Sequence, residues 1–210
     1  MYRNIIDISR SINQDTILWP GDTKVNLVRG LSVRKGDICN TSNITMSLHT
    51  GTHIDAPLHF FEGDRDVSSM DLSHFIGTVK IFELLSVSCI TEDDVRGLFI
   101  SEGDAVFFKT SNSNIPEDEP FRTDYVYMDE NAAKFLVDKK IRTVGIDYLS
   151  IEKYETKDFP VHKIFLSNNI AIIEGLILKD VEPGQYLYCC MPLKIVGGEA
   201  SPVRAVLAHY

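Results

Sequence analysis

The chain has 210 residues, 44% of them hydrophobic and 24% charged, the composition of a folded globular protein. That excludes a disordered tail, a collagen-like repeat and a low-complexity linker. A chain of this length buries roughly 70% of its unfolded surface, so it needs neither metal nor disulfide to fold, and metal ligands would point to chemistry. The net charge of −9, with no basic run, excludes nucleic-acid binding that relies on neutralising phosphates.

The first fifteen residues, MYRNIIDISRSINQD, lack the continuous apolar core of a secretory leader and carry Asp7 and Arg10. No apolar stretch approaches the ~18 residues that span a bilayer. Cys39, Cys89, Cys189 and Cys190 form no CxxC pair, so the expectation is a reduced, soluble, cytoplasmic protein. In NITMSLH (43–49), Ile44, Met46 and Leu48 alternate with polar residues. This predicts a strand with its even positions buried and its odd positions facing a cavity or solvent. GTVKIFELL (77–85) and AVFFKT (105–110) read as further strands. Between them TEDDVRGLFI (91–100) reads as a helix capped by Thr91, with Asp94 three residues on. SNSNIPEDEPF (111–121) reads as a surface loop. MDENAAKFLVDKK (128–140) predicts a second helix, acidic at its start and ending at Lys139-Lys140. The strand TVGIDYL (143–149) follows, then a short third helix, VHKIFLSNN, ending at Asn168-Asn169. IAIIEGLIL (170–178), YLYCCMPLKIV (186–196) and PVRAVLA (202–208) complete the strands. No repeat or linker divides the chain, so residues 1–210 are expected to form one α/β domain with a largely β core.

Three of the six histidines fall within eleven residues, in HTGTHIDAPLH (49–59). The ligand-capable positions His49, His53, Asp55 and His59 are all odd, so an extended chain would present them on one face. His53 and Asp55 would stand about 6.6 Å apart along a strand, close enough for one shared ion. His49 and His59 would be about 33 Å apart if fully extended, so the chain must bend. Gly51 and Pro57 lie between the ligands, where bends are easiest. A helical HExxH-type arrangement is disfavoured by the same two residues. Imidazole and carboxylate together suit Zn²⁺, Mn²⁺ or Fe²⁺, and Asp55 can bridge two ions, giving a mononuclear or dinuclear hydrolytic site. Glu174 interrupts an apolar run, where an unpaired carboxylate is costly, and so reads as a ligand. His162 is undecided on its own residues. His74 and His209 fit no motif and read as structural or surface residues, and FEGDRD (61–66) reads as a solvated turn.

HTGTHIDAPLHF (49–60) resembles the HxGTHxDxPxHF signature of the cyclase family of metal-dependent hydrolases, whose members include bacterial kynurenine formamidases and isatin hydrolases. The resemblance extends across the chain. WPGDT (19–23) is similar to a formamidase segment whose tryptophan lines the substrate pocket, and PVHKIFLSNNIAIIEGL (160–176) to the family's second metal motif. The closing SPVRAVLA (201–208) is family-like without an assigned chemistry. The resemblance implies that His49, His53 and Asp55 hold one ion, while Asp55 and Glu174 bridge to a second that His162 completes. It implies His59 as an acid/base kept off the metals, and Trp19 as a stacking surface for an aromatic substrate. The implied cofactors are two divalent ions, Zn²⁺ ahead of Mn²⁺. The implied fold is a compact α/β domain of the swivelling β/β/α type, with a barrel-like β core and a few flanking helices. It would assemble as a homodimer or homotetramer in which a neighbouring subunit helps close the pocket. The implied activity is that of an arylformamidase, converting N-formyl-L-kynurenine and water to L-kynurenine and formate in tryptophan catabolism. An isatin hydrolase or other cyclic-amide hydrolase with the same metals is the alternative, and a non-catalytic metal- or ligand-binding member is a third. The chain has no GxSxG elbow and no catalytic-cysteine context to offer a nucleophilic route.

Overall fold

The β-branched and aromatic runs condense into strands, and the few stretches with capping residues into short helices. The computed structural model describes residues 3–209. In chain order the elements are β1 (Arg3–Asp7), β2 (Asn26–Arg29), β3 (Ser42–Thr45), β4 (His53–Asp55), β5 (Ile76–Leu84), β6 (Cys89–Ile90) and α1 (Glu92–Arg96). There follow β7 (Ala105–Thr110), β8 (Tyr127–Met128), α2 (Glu130–Asp138), β9 (Thr143–Ile146), α3 (Pro160–Ser167), β10 (Ala171–Glu174), β11 (Gly184–Cys189), β12 (Ala200–Pro202) and β13 (Val206–His209).

Nine strands form one sheet in the order β1-β13-β11-β5-β7-β9-β10-β4-β12. Its centre, β5-β7-β9-β10, is parallel, and the flanking pairs are antiparallel. The sheet curls into a half-barrel. Ser9, just past the edge strand β1, bridges to Leu176, just past β10, and the Ile177 N–H donates to the Ile8 carbonyl at 2.9 Å. Alternation along each central strand feeds two cores. Phe107, Ile54 and Ile173 point into the curl with Ile8, Tyr188 and Leu207. Phe108, Val144 and Ile172 point outward, under Val95 of α1, Leu136 of α2 and Phe165 of α3. All six residues of β7 are buried, as a strand covered on both faces requires.

The three expected helices form. In α1 the Asp94 carboxylate takes the Thr91 N–H at 2.8 Å and the Thr91 hydroxyl at 2.6 Å. The helix stops before Gly97, leaving Phe99 90% exposed. In α2 Asp129 caps the Ala132 N–H at 2.8 Å. Lys139 and Lys140 lie just beyond that helix, which ends at Asp138. Asn169, with φ 59°, turns the chain out of α3.

Three expectations change. The segment 43–49 contributes a strand, β3, but its even face is not buried: Ile44 is 49% exposed. β3 pairs only with β2, in a two-stranded arm outside the main sheet, so no layer covers it. PVRAVLA breaks into β12 and β13 rather than forming one strand. SNSNIPEDEPF is a loop, but a packed one. Asn112 is buried and bonds both ways to Val126, at 2.8 Å in each direction, and Phe121 joins an aromatic cluster. β1 and the three-residue β4 are additional strands that apolar periodicity did not mark.

Gly51 and Gly175 hold the turn that aims the histidine segment. Both have left-handed φ, 71° and 70°, and a Cβ on Gly175 would lie 2.3 Å from the Gly51 carbonyl oxygen. Backbone cannot yield there as a flexible side chain would. Gly175→Ala should therefore destabilise the protein by about 2–4 kcal/mol, the left-handed penalty plus overpacking, measured as a shift in the urea unfolding midpoint.

Candidate functional site

His49 lies in the turn after β3, and Gly51 redirects the chain into β4. Pro57 then opens a single 3₁₀ turn, Pro57–His59, that folds His59 back over the strand. The strand-and-bend reading of the motif therefore holds at both bends. Register supplies the rest. In the antiparallel β4–β10 pair, His53 stands opposite Glu174 and Asp55 opposite Ile172. His53, Asp55 and Glu174 thus share the sheet face that Ile172 turns toward the helices. α3 packs over that face and brings in His162.

The resulting cluster is buried and tight. His49 Nδ1 lies 3.0 Å from Asp55 Oδ1, and His53 Nε2 lies 3.5 Å from the same oxygen and 3.4 Å from Glu174 Oε2. His162 Nε2 lies 3.1 Å from Glu174 Oε1 and 3.6 Å from Asp55 Oδ2. The His49 and His59 rings are 4.3 Å apart between centroids. Two sets of donor atoms fall within 4.8 Å of one another: those of His49, Asp55 and His59, and those of His53, Asp55 and Glu174. His162 stands in neither set but touches both carboxylates. His49 Nε2, His53 Nε2 and both Asp55 oxygens are buried without a hydrogen-bond partner. Their neighbours are close but misaligned for hydrogen bonds. His53 Nε2 and the two Asp55 oxygens, converging from imidazole and carboxylate, fit a divalent cation, whose bonds would replace the missing ones.

The electrostatics follow from burial. Burial works against a charge on His53, but the facing Glu174 and Asp55 carboxylates outweigh it and hold the imidazole up at about 9. Burial works likewise on His162, which Glu174 and Glu152 raise to about 10. Burial would raise Asp55, yet the facing His49, His59 and His53 hold it well below the ordinary carboxylate range. Glu174 is lowered too: His162 and His53 outweigh burial and the Asp55 charge. His59 moves the other way. Burial pushes it down, and the attraction of Asp55 only partly offsets this.

The cluster forms the base of a cavity of about 250 Å³ whose walls include Trp19, Phe60, Leu149 and Phe159. Trp19 is held by Phe121, Tyr154 and Tyr125, with centroids at 5.2, 5.7 and 6.4 Å. All seven residues singled out in the sequence thus meet at one place. Others went unmarked, among them Leu149 and Ser150 of the cavity lining. Asp22 and Phe159 line the cavity, Glu199 lies 3.8 Å from His49 Nε2, and Glu152 lies 3.2 Å from His162 Nδ1. Glu152 sits among the charged residues of IEKYETKD (151–158), which look like a solvated turn, and no sequence signal separates it from them. Phe159 adopts a left-handed φ of 48°, rare for a bulky residue, which the sequence shows only as a residue before proline. His74 is structural as expected: its ring contacts the Arg142 carbonyl at 2.8 Å and is buried. Asp66 accepts from Ser68, Ser69 and the Gly197 N–H, which ties down the turn after His59.

Comparison with known proteins places this geometry. The family model described as "Putative cyclase" matches residues 6–153. A kynurenine formamidase of Erythrobacter litoralis is 37% identical over 206 residues, 98% of this chain and 94% of that protein. One from Salinibacter ruber is 34% identical over 213 residues, 97% and 96% of the two chains. A solved structure described as a "predicted metal-dependent hydrolase from Bacillus stearothermophilus" superposes with a TM-score of 0.87 at 38% identity, covering 99% and 98%. Isatin hydrolase A of Labrenzia aggregata shares the fold, with a TM-score of 0.81 at 21% identity over 98% and 93%. With the family model over more than half of its length and similar relatives along nearly all of it, the chain belongs to the cyclase family.

Proposed function

We propose that this protein is a metal-dependent arylformamidase that hydrolyses N-formyl-L-kynurenine to L-kynurenine and formate in tryptophan catabolism. The observation that carries the reading is the group of buried imidazoles and carboxylates with unpartnered donor atoms, lying beneath an aromatic-walled cavity. The relatives named kynurenine formamidase support the choice of substrate. In this reading residues 1–210 form one hydrolase domain that works in the cytoplasm as a homodimer or homotetramer. The exposed apolar side chains of the β2–β3 arm, Leu27, Val28 and Ile44, support self-association. Among the described residues no helix is long and apolar enough to cross a membrane.

We assign the metal-holding role to His49, His53, Asp55, His162 and Glu174: the first three would hold one ion, and His162 and Glu174, with Asp55 beside them, a second. The mixed donors suit Zn²⁺ first and Mn²⁺ second. When bound, such ions acidify water and polarise a carbonyl oxygen. The chain's own residues do the rest. Trp19 stacks on the aryl ring, and Phe60, Leu149 and Phe159 keep bulk water from the formyl group. His59 delivers a proton to the departing aryl nitrogen, which would otherwise leave poorly. Its lowered pKa leaves it largely neutral at pH 7, so it first takes a proton from the attacking water and then passes that proton to the leaving nitrogen. A second reading makes His59 a ligand, because its ring offers a donor atom beside those of His49 and Asp55.

His53 and His162, at about 9 and about 10, hold protons at neutral pH when no metal is present. Zinc needs neutral imidazole, so loading at about pH 7.5 should release protons, and affinity should rise with pH. Calorimetry in buffers of different ionisation enthalpy measures the proton count, and zero released would contradict the assignment. Asp55→Asn should lose metal and activity together. His59→Ala should keep its metal while turnover falls ~10²–10⁴-fold. If His59→Ala loses zinc as readily as Asp55→Asn, the ligand reading replaces the acid/base one. Formate release from N-formylkynurenine, set against isatin ring opening on the same zinc-loaded sample, tests the substrate. Trp19→Ala should raise KM for N-formylkynurenine roughly three- to tenfold and leave a small aliphatic formamide unchanged. Isatin opening without formate release would move the assignment to a cyclic-amide hydrolase.

A further inference from the structure

The chain that follows β9 supplies two contacts to the buried cluster. The Ile151 N–H donates to Glu174 Oε1 at 2.7 Å, and the next residue, Glu152, reaches His162. Glu152 is 2% exposed, and a buried carboxylate persists only where its lone pairs are matched. Here one oxygen, Oε2, lies 3.0 Å from the Val161 N–H, 3.3 Å from the His162 N–H and 3.2 Å from His162 Nδ1.

The first two contacts arise because α3 starts without a side-chain cap. Phe159 has no side-chain oxygen to offer, Pro160 has no N–H, and the next two N–H groups would be unsatisfied. The third contact has a chemical consequence. A carboxylate only accepts, so the Nδ1 that faces it carries a hydrogen. The opposite nitrogen, Nε2, is then directed at Glu174 Oε1 and Asp55 Oδ2. Turning the ring over would set a C–H against the carboxylate and remove Nε2 from the pair. Glu152 cannot swing away without uncapping α3. Its backbone is fixed as well: its N–H donates to Ser150 Oγ at 3.1 Å, and its carbonyl accepts from Tyr125 Oη at 2.6 Å.

We propose that Glu152 is a positioning residue that holds the Nδ1–H of His162 and so commits Nε2 to the Asp55–Glu174 pair as a metal donor. The inference rests on the metal-centre reading of that pair and adds to it the group that orients the donor. Partners of this kind typically set metal affinity by 10–100-fold.

The test uses the full chain, with zinc as the probe. Zinc affinity is measured by chelator competition for wild type, Glu152→Gln and Glu152→Leu, and the His162 ring protons and nitrogens are followed by NMR on labelled protein. Wild type should show a protonated, exchange-protected Nδ1. Glu152→Leu should lose that protection and bind zinc 10–100-fold more weakly. Glu152→Gln, which keeps an oxygen acceptor, should retain the protected Nδ1–H and most of the affinity. Wild-type affinity with a protected Nδ1–H in Glu152→Leu would overturn the proposal. Should that variant fail to fold, the wild-type spectrum decides, since an unprotonated or freely exchanging Nδ1 is incompatible with the role. Zinc binding without the protected Nδ1–H overturns the role of Glu152 alone. A protected Nδ1–H in a protein that binds no zinc overturns the metal-centre reading and leaves the ring-holding contact standing.

Discussion

Asp55 and Glu174 lie diagonally across neighbouring strands on one sheet face, both buried, and much of the molecule is arranged around that buried negative charge. Two carboxylates in a low-dielectric interior repel one another and lose their hydration. Four imidazoles surround them, and the Ile151 N–H supplies a further donor to Glu174. In the absence of a cation the compensation is incomplete, since both oxygens of Asp55 lack a hydrogen bond. The cost is borne locally by protons on His53 and His162, which is why both imidazoles are raised although burial alone would lower them. In the proposed metal-centre reading, a divalent ion would replace those protons with a charge of the same sign at the same place.

The curled sheet makes such a site affordable. Each central strand alternates between an inner core, with Phe107 and Ile173, and an outer core, with Phe108 and Ile172 under the helices. Burying a large apolar side chain contributes ~1.5–3 kcal/mol, and the two cores bury dozens of them. Against that background a short, three-residue strand such as β4 can carry two buried polar side chains, His53 and Asp55. It is held between β10 and β12, with Ala200 opposite Asp55 and Pro202 opposite His53. The family-like C-terminal segment thus acquires a structural role: its first residues form the strand that closes the outer side of the histidine strand.

The cavity above the cluster is built differently, from side chains on loops. Trp19, Phe121, Tyr125 and Tyr154 come from three separate stretches of chain and support each other in edge-to-face and tilted contacts. Phe159 faces Phe60 at 5.4 Å from a left-handed backbone conformation. Strain of that kind persists where neighbouring contacts over-determine the position, and here they are the Phe60 ring and the start of α3. His53, Asp55 and Glu174 on strands and His162 on a helix, with the cavity walls on loops, separate a rigid charge cluster from a surface that sequence change can reshape.

The histidine motif was legible in the sequence because its chemistry is local. His49, His53, Asp55 and His59 lie within eleven residues, and Gly51 and Pro57 mark the bends between them. The capped helices were legible for the same reason, since Thr91 with Asp94 and Asp129 act over one turn. Resemblance to a family, not periodicity, brought in His162 and Trp19, while Glu174 also stood out as a lone carboxylate in an apolar run. The alternation of 43–49 misled because period two shows which residues share a face, not whether another layer covers it, and β3 is left uncovered. Glu152 could not be found at all. Its importance comes from Oε2 meeting a ring and two N–H groups nine and ten residues further along the chain, at a helix start that lacks its own cap. What the sequence by itself determined is which residue types can do the chemistry and where the chain must bend. The tertiary structure alone decided which of them face one another, because register across β4 and β10 and the packing of α3 are set by the whole core rather than by any local pattern.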